Sequence, residues 1–428
     1  MAIIDIIDLF KINQSILKNI DEDIINHSEE SSYIAYKIAE KLGYSDKEIE
    51  NLILASALHD IGAYKVDEID NIKKFEIIDP GKHSIYGYCL LKTSGIFKGI
   101  ANSVLYHHND YRCKERYIDS IYIPEDSFII SLADRISILC NSMNYEAEKI
   151  KSAINNMNIE LFDPNHMQIL FNLIKEEYLI EDIVTGKYKS IINNEIKNIY
   201  VELNKIKNYL VFLPLAINFY SFETSIHTVS VASATRKICE KMNLNNEYKE
   251  KIEIASYLHD IGKVCIPKTI LEKNGKLSKD EYEIMKKHVY YSRKILQDAN
   301  IDEELINLAC NHHEKLDGSG YSIGLKSNDL SIGDRIISVS DIFCALREKR
   351  VYKKPFTKDK VLQILNDMVD KNYIDETIVN IIKIHYEEIL NYTINNKENY
   401  KNILGNMIKE YKYITKEMDR LYKSEYIN

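Results

Sequence analysis

Two stretches of the chain carry the same pair of polar residues inside apolar surroundings. SALHDIGAY (56–64) contains His59 and Asp60, and SYLHDIGKV (256–264) contains His259 and Asp260. Imidazole nitrogens mixed with carboxylates suit ions such as zinc, iron and manganese, whereas all-oxygen sites suit magnesium or calcium. The repeated pair therefore indicates metal-binding chemistry in each half of the chain.

The other histidines repeat around these pairs at matched spacings. Ten of the 12 histidines belong to two arrays, each closed by an aspartate: His27, His59, His83, His107, His108 and Asp134, then His227, His259, His288, His312, His313 and Asp341. His27 to His59 and His227 to His259 both span 32 residues, and His83 to His107 and His288 to His312 both span 24. Burying so many polar groups is costly unless each has a partner, which favours ligands over core residues. His166 and His385 lie outside the arrays and are predicted to be core histidines.

Each array offers more ligands than one tetrahedral ion can use, so two or more ions must share it. Such a centre suits hydrolysis of phosphoesters, because the ions bridge a water, lower its pKa toward about 7 and clamp the attacking and leaving oxygens. Lys263, directly after Gly262, would add positive charge beside the phosphate.

The elements that position these residues are predicted to be helices. Apolar residues recur every three or four positions, as in Ile34 and Ile38, and alternating strand patterns are scarce. The fold class is therefore all-α. Gly62 and Gly262, two residues after each HD pair, are predicted to be left-handed helix C-caps, which places each pair on the last turn of a helix.

The length of 428 residues and the repeat predict two domains. We place an N-terminal domain at 1–190, a helical linker at 191–204, a C-terminal domain at 205–395 and a helical tail at 396–428. The C-terminal domain contains an extra segment, IPKTILEKNGKLS, between its HD pair and the next histidine. We interpret that insertion as a loop.

Composition excludes several classes of function. A net charge of -9 argues against a nucleic acid polymer as partner, and no segment resembles a secretion signal or a membrane span. The seven cysteines are scattered singly, which is typical of reduced core residues rather than of disulfides or a zinc ribbon. We expect a cytoplasmic protein that does not bind membranes.

Three segments of the second half, HDIGK, HHEKLDGSGY and SVSDIFCALREKRVYKK, carry a family resemblance. They resemble the HD-GYP branch of the HD-domain metal-dependent phosphohydrolases, over about residues 205–385 and more weakly over 15–185. The resemblance implies two tandem helical HD-type domains, the second a phosphodiesterase for cyclic dinucleotides. It also implies two or three transition-metal ions per active site, iron or manganese (Fe or Mn).

The resemblance further implies roles for individual residues. The metal ligands of the second domain would be Glu223, His227, His259, Asp260, His288, His312, His313 and Asp341. Asp260 and Lys263 would act in catalysis, with Lys263 also contacting the phosphate. Arg350 and Lys353 would hold the distal phosphate or a base, and Gly318, Gly320 and Tyr321 belong to the signature loop. Glu223 precedes His227 by four residues and so shares its helix face. One departure is Ser322, which stands where the family has proline and bears on the rigidity of the loop.

The first domain matches the ligands of this pattern but not its substrate contacts. Its ligands would be Asp23, His27, His59, Asp60, His83, His107, His108 and Asp134. Ala63 replaces the lysine, HHNDYRCKERYIDSIYIP replaces the glycine-rich loop, and the basic residues after the final aspartate are missing. This domain could be a second hydrolase with another phosphate substrate, a metal-dependent regulator, or a structural half.

Our main hypothesis is hydrolysis of cyclic di-GMP or cyclic GMP-AMP by a metal-bridged hydroxide. A non-catalytic cyclic-dinucleotide receptor and a general HD nucleotide phosphohydrolase are the alternatives. A receptor would keep its ligand intact, and a general hydrolase would not need Arg350 or Lys353. The expected partner is thus a cyclic dinucleotide, and a homodimer is allowed.

Overall fold

The protein is described by a computed structural model that covers residues 6–20, 26–64, 82–95, 97–114, 117–118, 121–199, 222–348 and 355–423. Within these ranges the chain is built from helices joined by short turns, and it has no strand beyond an isolated bridge between Ile118 and Ile121. The prediction of an all-α fold is confirmed. The described residues fall into two compact units, one within Asp5–Tyr209 and Gly405–Asn428 and the other within Leu210–Leu404.

The first unit contains ten α-helices within its described residues, followed by part of the last helix of the chain. They are α1 (Ile6–Ile20), α2 (His27–Leu42), α3 (Asp46–Ala57), α4 (Lys82–Ser94), α5 (Ala101–Leu105), α6 (Glu125–Ser142), α7 (Ala147–Asn155), α8 (Pro164–Glu176), α9 (Leu179–Val184) and α10 (Tyr188–Asn198). A short 3-10 helix, Ile61–Tyr64, follows the first HD pair.

Local signals in the sequence set the ends of these helices. Gly43 ends α2 in the left-handed conformation, with φ 75°. Ser45 and Glu48 then form a capping box that starts α3, in which the backbone N–H of Ser45 donates to the Glu48 carboxylate over 2.8 Å. The apolar face of α2, including Ile34 and Ile38, is buried where α2 packs against α3 and α6. This packing brings His27, at the start of α2, toward the HD pair that follows α3.

The second unit contains α11 (Phe222–Lys241), α12 (Asn246–Leu258), α13 (Lys268–Leu271), α14 (Lys279–Asp298), α15 (Glu303–Cys310), α16 (Ile332–Arg347), α17 (Lys358–Asp370) and α18 (Glu376–Ile384). The last helix, α19 (Tyr386–Lys423), contributes its residues up to Leu404 to this unit and those from Gly405 to the first. The 3-10 helix Ile261–Cys265 follows the second HD pair. The segment that we interpreted as a loop contains the short helix α13.

Packing in the second unit follows the same plan as in the first. α11 packs against α12 and α16, and α14 packs against α15 and the 3-10 helix Ile261–Cys265. Ser278 with Glu281 and Ser331 with Asp334 form the capping boxes that start α14 and α16. The elements that carry the histidines and Asp341 are therefore the ones that meet in the core of the unit.

The glycine after each HD pair does not have the predicted conformation. Neither Gly62 nor Gly262 is left-handed, and each lies in the 3-10 helix after the pair rather than at a helix C-cap. A Cβ on Gly62 would lie 2.0 Å from the carbonyl oxygen of His83, and one on Gly262 would lie 2.1 Å from that of His288. Glycine is needed because two backbones pass within contact distance. The HD pairs accordingly lie just past the ends of α3 and α12 instead of on their last turns.

The predicted domain boundaries at 190, 204 and 395 remain predictions. The helix α10 covers the first part of the predicted linker, and residues 200–204 lie outside the described residues. Across the described part of the chain, no helix combines the length and the apolar character needed to cross a membrane.

Candidate metal centres

Three histidine rings of the second unit are held in the same way by their own helices. The Nδ1 atoms of His259, His288 and His312 lie 2.7, 2.7 and 2.9 Å from the carbonyl oxygens of the residues three positions earlier. A carbonyl oxygen can only accept, so each Nδ1 carries the hydrogen. In a neutral ring Nε2 then presents a lone pair, which is the form that binds metal.

These Nε2 atoms converge with carboxylates in the core. Three overlapping groups have all their ligand atoms within 4.8 Å of one another: His259, Asp260 and His312; His288, His312 and His313; and His227, His259 and Asp341. Because the groups share His259 and His312, they form one cluster. We call these seven residues the second-unit cluster.

The contacts inside this cluster suit a bound cation. Nε2 of His259 lies 3.0 Å from one carboxylate oxygen of Asp260, and Nε2 of His288 lies 3.3 Å from the other. With Nδ1 carrying the hydrogen, each pair brings together two acceptors that repel each other. The buried Nε2 atoms of His259, His288 and His312 also have no hydrogen-bond partner among the described residues. Neutral imidazoles and carboxylates in this arrangement fit transition-metal ions.

Burial sets the protonation of several ligands. It lowers the pKa of His288 to about 3 and also lowers the pKa values of His312 and His313, so these rings are neutral at pH 7. Burial alone would raise the pKa of Asp260, but the adjacent His259 and Lys263 side chains hold it well below its usual range. His288, His312 and His313 thus present neutral imidazoles beside an ionised carboxylate.

His227 is oriented differently, by a residue that the sequence analysis missed. Its Nδ1 lies 2.9 Å from the Glu348 carboxylate, and its Nε2 lies 2.8 Å from the Asp341 carboxylate. Burial would lower the pKa of His227, but Glu348 and Asp341 raise it to about 10. A carboxylate on Nδ1 is a common way to orient a metal-binding imidazole. The sequence did contain a signal for Glu348, because this residue follows the predicted ligand Asp341 by two helical turns.

The other predicted residues of the second unit are placed as follows. Lys263 is half-buried and its Nζ forms an ion pair with Asp260, so it borders the cluster. Glu223 is exposed near the start of α11 and belongs to none of the ligand groups, so its role as a ligand stays a prediction. Arg350 and Lys353 lie outside the described residues.

The signature loop is anchored by Glu314, a second residue that the sequence analysis missed. Its carboxylate is buried and accepts hydrogen bonds from the backbone N–H groups of Ile323, Gly324 and Leu325 and from the Ser322 hydroxyl. Gly320 packs so closely that a Cβ there would lie 2.5 Å from Cα of Glu314. The sequence signal was an acid directly after the histidine doublet.

This loop packs the Tyr321 ring against His313, one of the predicted metal ligands. The backbone N–H of Tyr321 donates to the carbonyl of His313 over 3.2 Å, and the two rings stack with centroids 4.6 Å apart. Gly318 turns the loop with φ 83°. Ser322 has φ 133°, a conformation that the proline ring cannot adopt. At Ser322 the backbone therefore has a conformation that the family's proline would not allow, and the hydrogen bonds to Glu314 hold it.

A serine on α14 ties the HD pair to the helix that carries His288. The backbone N–H of Gly262 donates to the Ser292 hydroxyl over 2.8 Å, and this hydroxyl donates to the His259 carbonyl over 3.1 Å. Ser292 follows His288 by four residues and so shares its helix face. The contact fixes the spacing between His259 and His288.

The first unit builds a similar cluster from its own array. The Nδ1 atoms of His59 and His107 lie 2.6 and 2.7 Å from carbonyl oxygens three residues earlier. Two groups have ligand atoms within 4.8 Å of one another: His83, His107 and His108; and His27, His59 and Asp60. Nε2 of His27 lies 2.8 Å from the Asp134 carboxylate, which joins that aspartate to the cluster. Asp23 lies outside the described residues.

The surroundings of this first-unit cluster differ from those of the second. Ala63 is fully buried at the position of Lys263 and brings no charge. The His27 Nδ1 lies 3.0 Å from the Ser137 hydroxyl, which donates to the buried Glu30 carboxylate over 2.7 Å. Burial raises the pKa of Glu30. Neither Ser137 nor Glu30 is identifiable from the sequence, since both look like ordinary helix residues.

The two histidines outside the arrays are not part of either cluster. His166 is buried with its Nε2 3.3 Å from a Glu125 carboxylate oxygen, and His385 is half-buried at the end of α18. Neither belongs to a group of ligand atoms among the described residues.

Comparison with known proteins places both units in one family. Sequence profiles described as HD domain match residues 24–139 and residues 212–378. The 3'3'-cGAMP-specific phosphodiesterase 1 of Vibrio cholerae is 26% identical over 380 residues, which cover 86% of this chain and 88% of that protein. The cyclic di-GMP phosphodiesterase of Thermotoga maritima is 31% identical over 241 residues, 56% of this chain and 62% of that one.

Two further matches fit this result. The 3'3'-cGAMP-specific phosphodiesterase 2 of Vibrio cholerae is 35% identical over 196 residues, 45% of this chain and 37% of that protein. A crystal structure of a Vibrio cholerae cyclic GMP-AMP specific phosphodiesterase (V-cGAP3) matches the fold with a TM-score of 0.57 at 19% identity, covering 89% of this chain and 97% of that one. The chain therefore belongs to the HD-domain family, with two HD domains in tandem of which the second is of the HD-GYP type.

Proposed function

We propose that the second unit is a metal-dependent phosphodiesterase that hydrolyses cyclic dinucleotides. The observation that carries this proposal is the second-unit cluster, in which buried imidazole and carboxylate acceptors face one another with Lys263 at their border. The related phosphodiesterases named for cyclic GMP-AMP and cyclic di-GMP supply the substrate class. Cyclic di-GMP and 3'3'-cGAMP are the two substrates that we propose.

The residues of the cluster would hold two or three ions, iron or manganese. Neutral imidazoles and ionised carboxylates match the preferences of these metals, and seven ligand residues exceed the needs of one ion. When bound, such ions neutralise phosphate charge and acidify water. His259 and His312 each lie where two ligand groups overlap, and each would bind one ion through its single free nitrogen, Nε2.

Asp260 and Lys263 are the residues that we propose for catalysis. The Asp260 carboxylate is buried and ionised and faces both His259 and His288. The Lys263 ammonium, paired with Asp260, would donate a hydrogen bond to a phosphate oxygen as negative charge develops on it. Its half-buried position strengthens this interaction relative to one in open water.

Substrate contacts outside the cluster are proposed from the loop and from the residues after α16. Tyr321 stacks on His313, and Gly318 sets the turn that leads to it. Arg350 and Lys353 are proposed to hold the distal phosphate or a base.

For the first unit we propose a metal-binding HD domain that does not hydrolyse the cyclic dinucleotide. The support is its own ligand cluster together with Ala63 at the position of the catalytic lysine. Such a domain could regulate the second unit or act on another phosphate substrate. A cytoplasmic location is supported by seven free cysteines, which suit a reducing compartment. A homodimer and the absence of a nucleic acid partner stay predictions.

The test is turnover by the full chain, reconstituted separately with iron and with manganese. We expect both cyclic di-GMP and 3'3'-cGAMP to be converted to linear dinucleotides, and a chelator to stop the reaction. Product analysis by chromatography separates the candidate functions. Intact ligand retained by the protein would indicate a receptor, and equally fast turnover of nucleoside triphosphates would indicate a general nucleotide phosphohydrolase.

A further inference from the structure

An exposed aromatic side chain lies on the helix that supplies His288. Tyr282 is on α14, less than two turns before His288, and 48% of it is exposed. Its hydroxyl makes no hydrogen bond to any other described residue. Exposed tyrosines are common, so the position of this one relative to its neighbours decides what it can do.

A lysine lies between Tyr282 and the signature loop. Nζ of Lys286 is 5.5 Å from the centroid of the Tyr282 ring and 5.8 Å from that of the Tyr321 ring. Both distances are within the range of cation–π attraction. Lys286 is also held by Glu283, whose carboxylate lies 2.7 Å from Nζ. The ammonium of Lys286 therefore lies over both aromatic rings.

This arrangement extends from the second-unit cluster toward solvent. Tyr321 stacks on His313 with centroids 4.6 Å apart, and His313 belongs to the ligand group with His288 and His312. The order from the cluster outward is His313, Tyr321, Lys286 and Tyr282. A group bound near the ions would pass these side chains as it emerged.

We propose that Tyr282, Lys286 and Tyr321 form a stacking surface for one nucleobase of the substrate, which we call the base platform. The inference rests on the proposed function, because it takes the cyclic dinucleotide as the ligand. Aromatic rings and cations bind any base through its π-face, without reading its hydrogen-bonding edge. The platform therefore accepts guanine and adenine alike, which agrees with the proposal of both cyclic di-GMP and 3'3'-cGAMP as substrates.

The test compares two platform variants with two controls on the same helix. The platform variants are Tyr282→Ala and Lys286→Ala. The controls are Tyr290→Ala, which removes a tyrosine that is 62% exposed and contacts Tyr291, and Lys287→Ala, which removes the neighbouring exposed lysine. Metal content is measured for all four, and we expect it to equal that of the unmodified chain.

We expect KM for both dinucleotides to rise about tenfold in Tyr282→Ala, equivalent to about 1.4 kcal/mol, with a smaller rise in Lys286→Ala. The kcat should change little, because stacking binds substrate and transition state alike. Tyr282→Phe keeps the aromatic ring and should have the KM of the unmodified chain. Tyr290→Ala and Lys287→Ala should also have that KM. A KM in Tyr282→Ala within twofold of that of Tyr290→Ala would overturn the proposal.

A second readout tests recognition of the base directly. GMP should inhibit the unmodified chain more strongly than ribose 5-phosphate, which lacks the base, and Tyr282→Ala should narrow that difference. If GMP and ribose 5-phosphate differ as much in inhibiting Tyr282→Ala as in inhibiting the unmodified chain, the base platform is wrong. If the unmodified chain leaves the dinucleotides intact, the proposed function fails, and the dissociation constant of intact cyclic di-GMP replaces KM in the same comparison. The two failures are therefore distinguishable.

Discussion

Replacing His259 by alanine is expected to abolish turnover of cyclic dinucleotides. His259 is fully buried and belongs to two of the three ligand groups of the second-unit cluster. Losing a residue that only orients a metal ligand costs about 10- to 100-fold in activity or metal affinity, so losing a ligand itself should lower kcat/KM by more than about 100-fold. The measurement is steady-state turnover of cyclic di-GMP with the metal-loaded full chain.

The matched control is His59→Ala, the same change at the repeated position of the first unit. His59 is also fully buried and is held by the same type of contact to a carbonyl three residues earlier. We expect this variant to lose metal from the first unit while keeping dinucleotide turnover within about tenfold, because Ala63 leaves that cluster without the catalytic lysine. Equal loss of turnover in both variants would contradict the assignment of chemistry to the second unit.

Replacing Gly262 by alanine is expected to destabilise the second unit and weaken its metal binding. The new Cβ would lie 2.1 Å from the His288 carbonyl oxygen and 2.3 Å from the backbone nitrogen of Ser292. These are backbone atoms that cannot rotate away, so we expect a loss of about 3 kcal/mol, the upper end for overpacking. For a unit of this size the unfolding midpoint should fall by roughly 6–12 °C. Thermal unfolding and metal content are measured on the same sample.

Gly405→Ala serves as the control for this change. Gly405 is on α19, and a Cβ there would meet nothing within 4 Å. Alanine in a helix is favoured over glycine by about 0.5–1 kcal/mol, so the variant should be as stable as the unmodified chain or slightly more so. A midpoint for Gly262→Ala that matches the control would show that the two backbones do not need the close approach.

The histidine arrays could be predicted from the sequence because imidazole is rare and its burial is costly. Matched spacings of polar residues were enough to expect two clusters, and the structure brings the described members of each array together. The helical fold followed from apolar periodicity in segments such as α2 and was confirmed. Both results depend on patterns that are visible along the chain.

The residues that support the clusters could not be found in this way. Glu314, Glu348 and Ser292 act through contacts between elements, and charged or hydroxyl side chains of this kind are usually solvated on a helix surface. Ser292 meets the HD segment through the packing of α14, Glu348 meets His227 where α16 packs on α11, and Glu314 binds backbone groups of the signature loop. Offsets of four or seven residues from a predicted ligand gave a weak signal for Ser292 and Glu348.

Gly262 shows a different limit of prediction from the sequence. Glycine two residues after the HD pair was interpreted as a left-handed cap, which is the commonest reason for glycine near a helix end. The actual reason is the contact with the backbone of α14, a neighbour that is distant along the chain. Sequence identifies a position that rejects a side chain, but it does not distinguish torsional freedom from close packing.

The first unit keeps its ligands but lacks the lysine, which indicates that metal binding and turnover have separate requirements. A metal cluster needs buried imidazoles and carboxylates, whereas turnover also needs a cation beside the phosphate. Ala63 preserves packing next to His59 and Asp60 without that cation. The two units are thus expected to bind metal alike and to differ in chemistry.

The most direct measurement is anomalous diffraction at the iron or manganese edge from crystals of the metal-loaded chain. We expect two or three peaks in the second unit, about 2.0–2.2 Å from Nε2 of His259 and His312 and from carboxylate oxygens of Asp260 or Asp341. Peaks absent from this cluster, or bound only by other residues, would contradict the assignment of the metal centre.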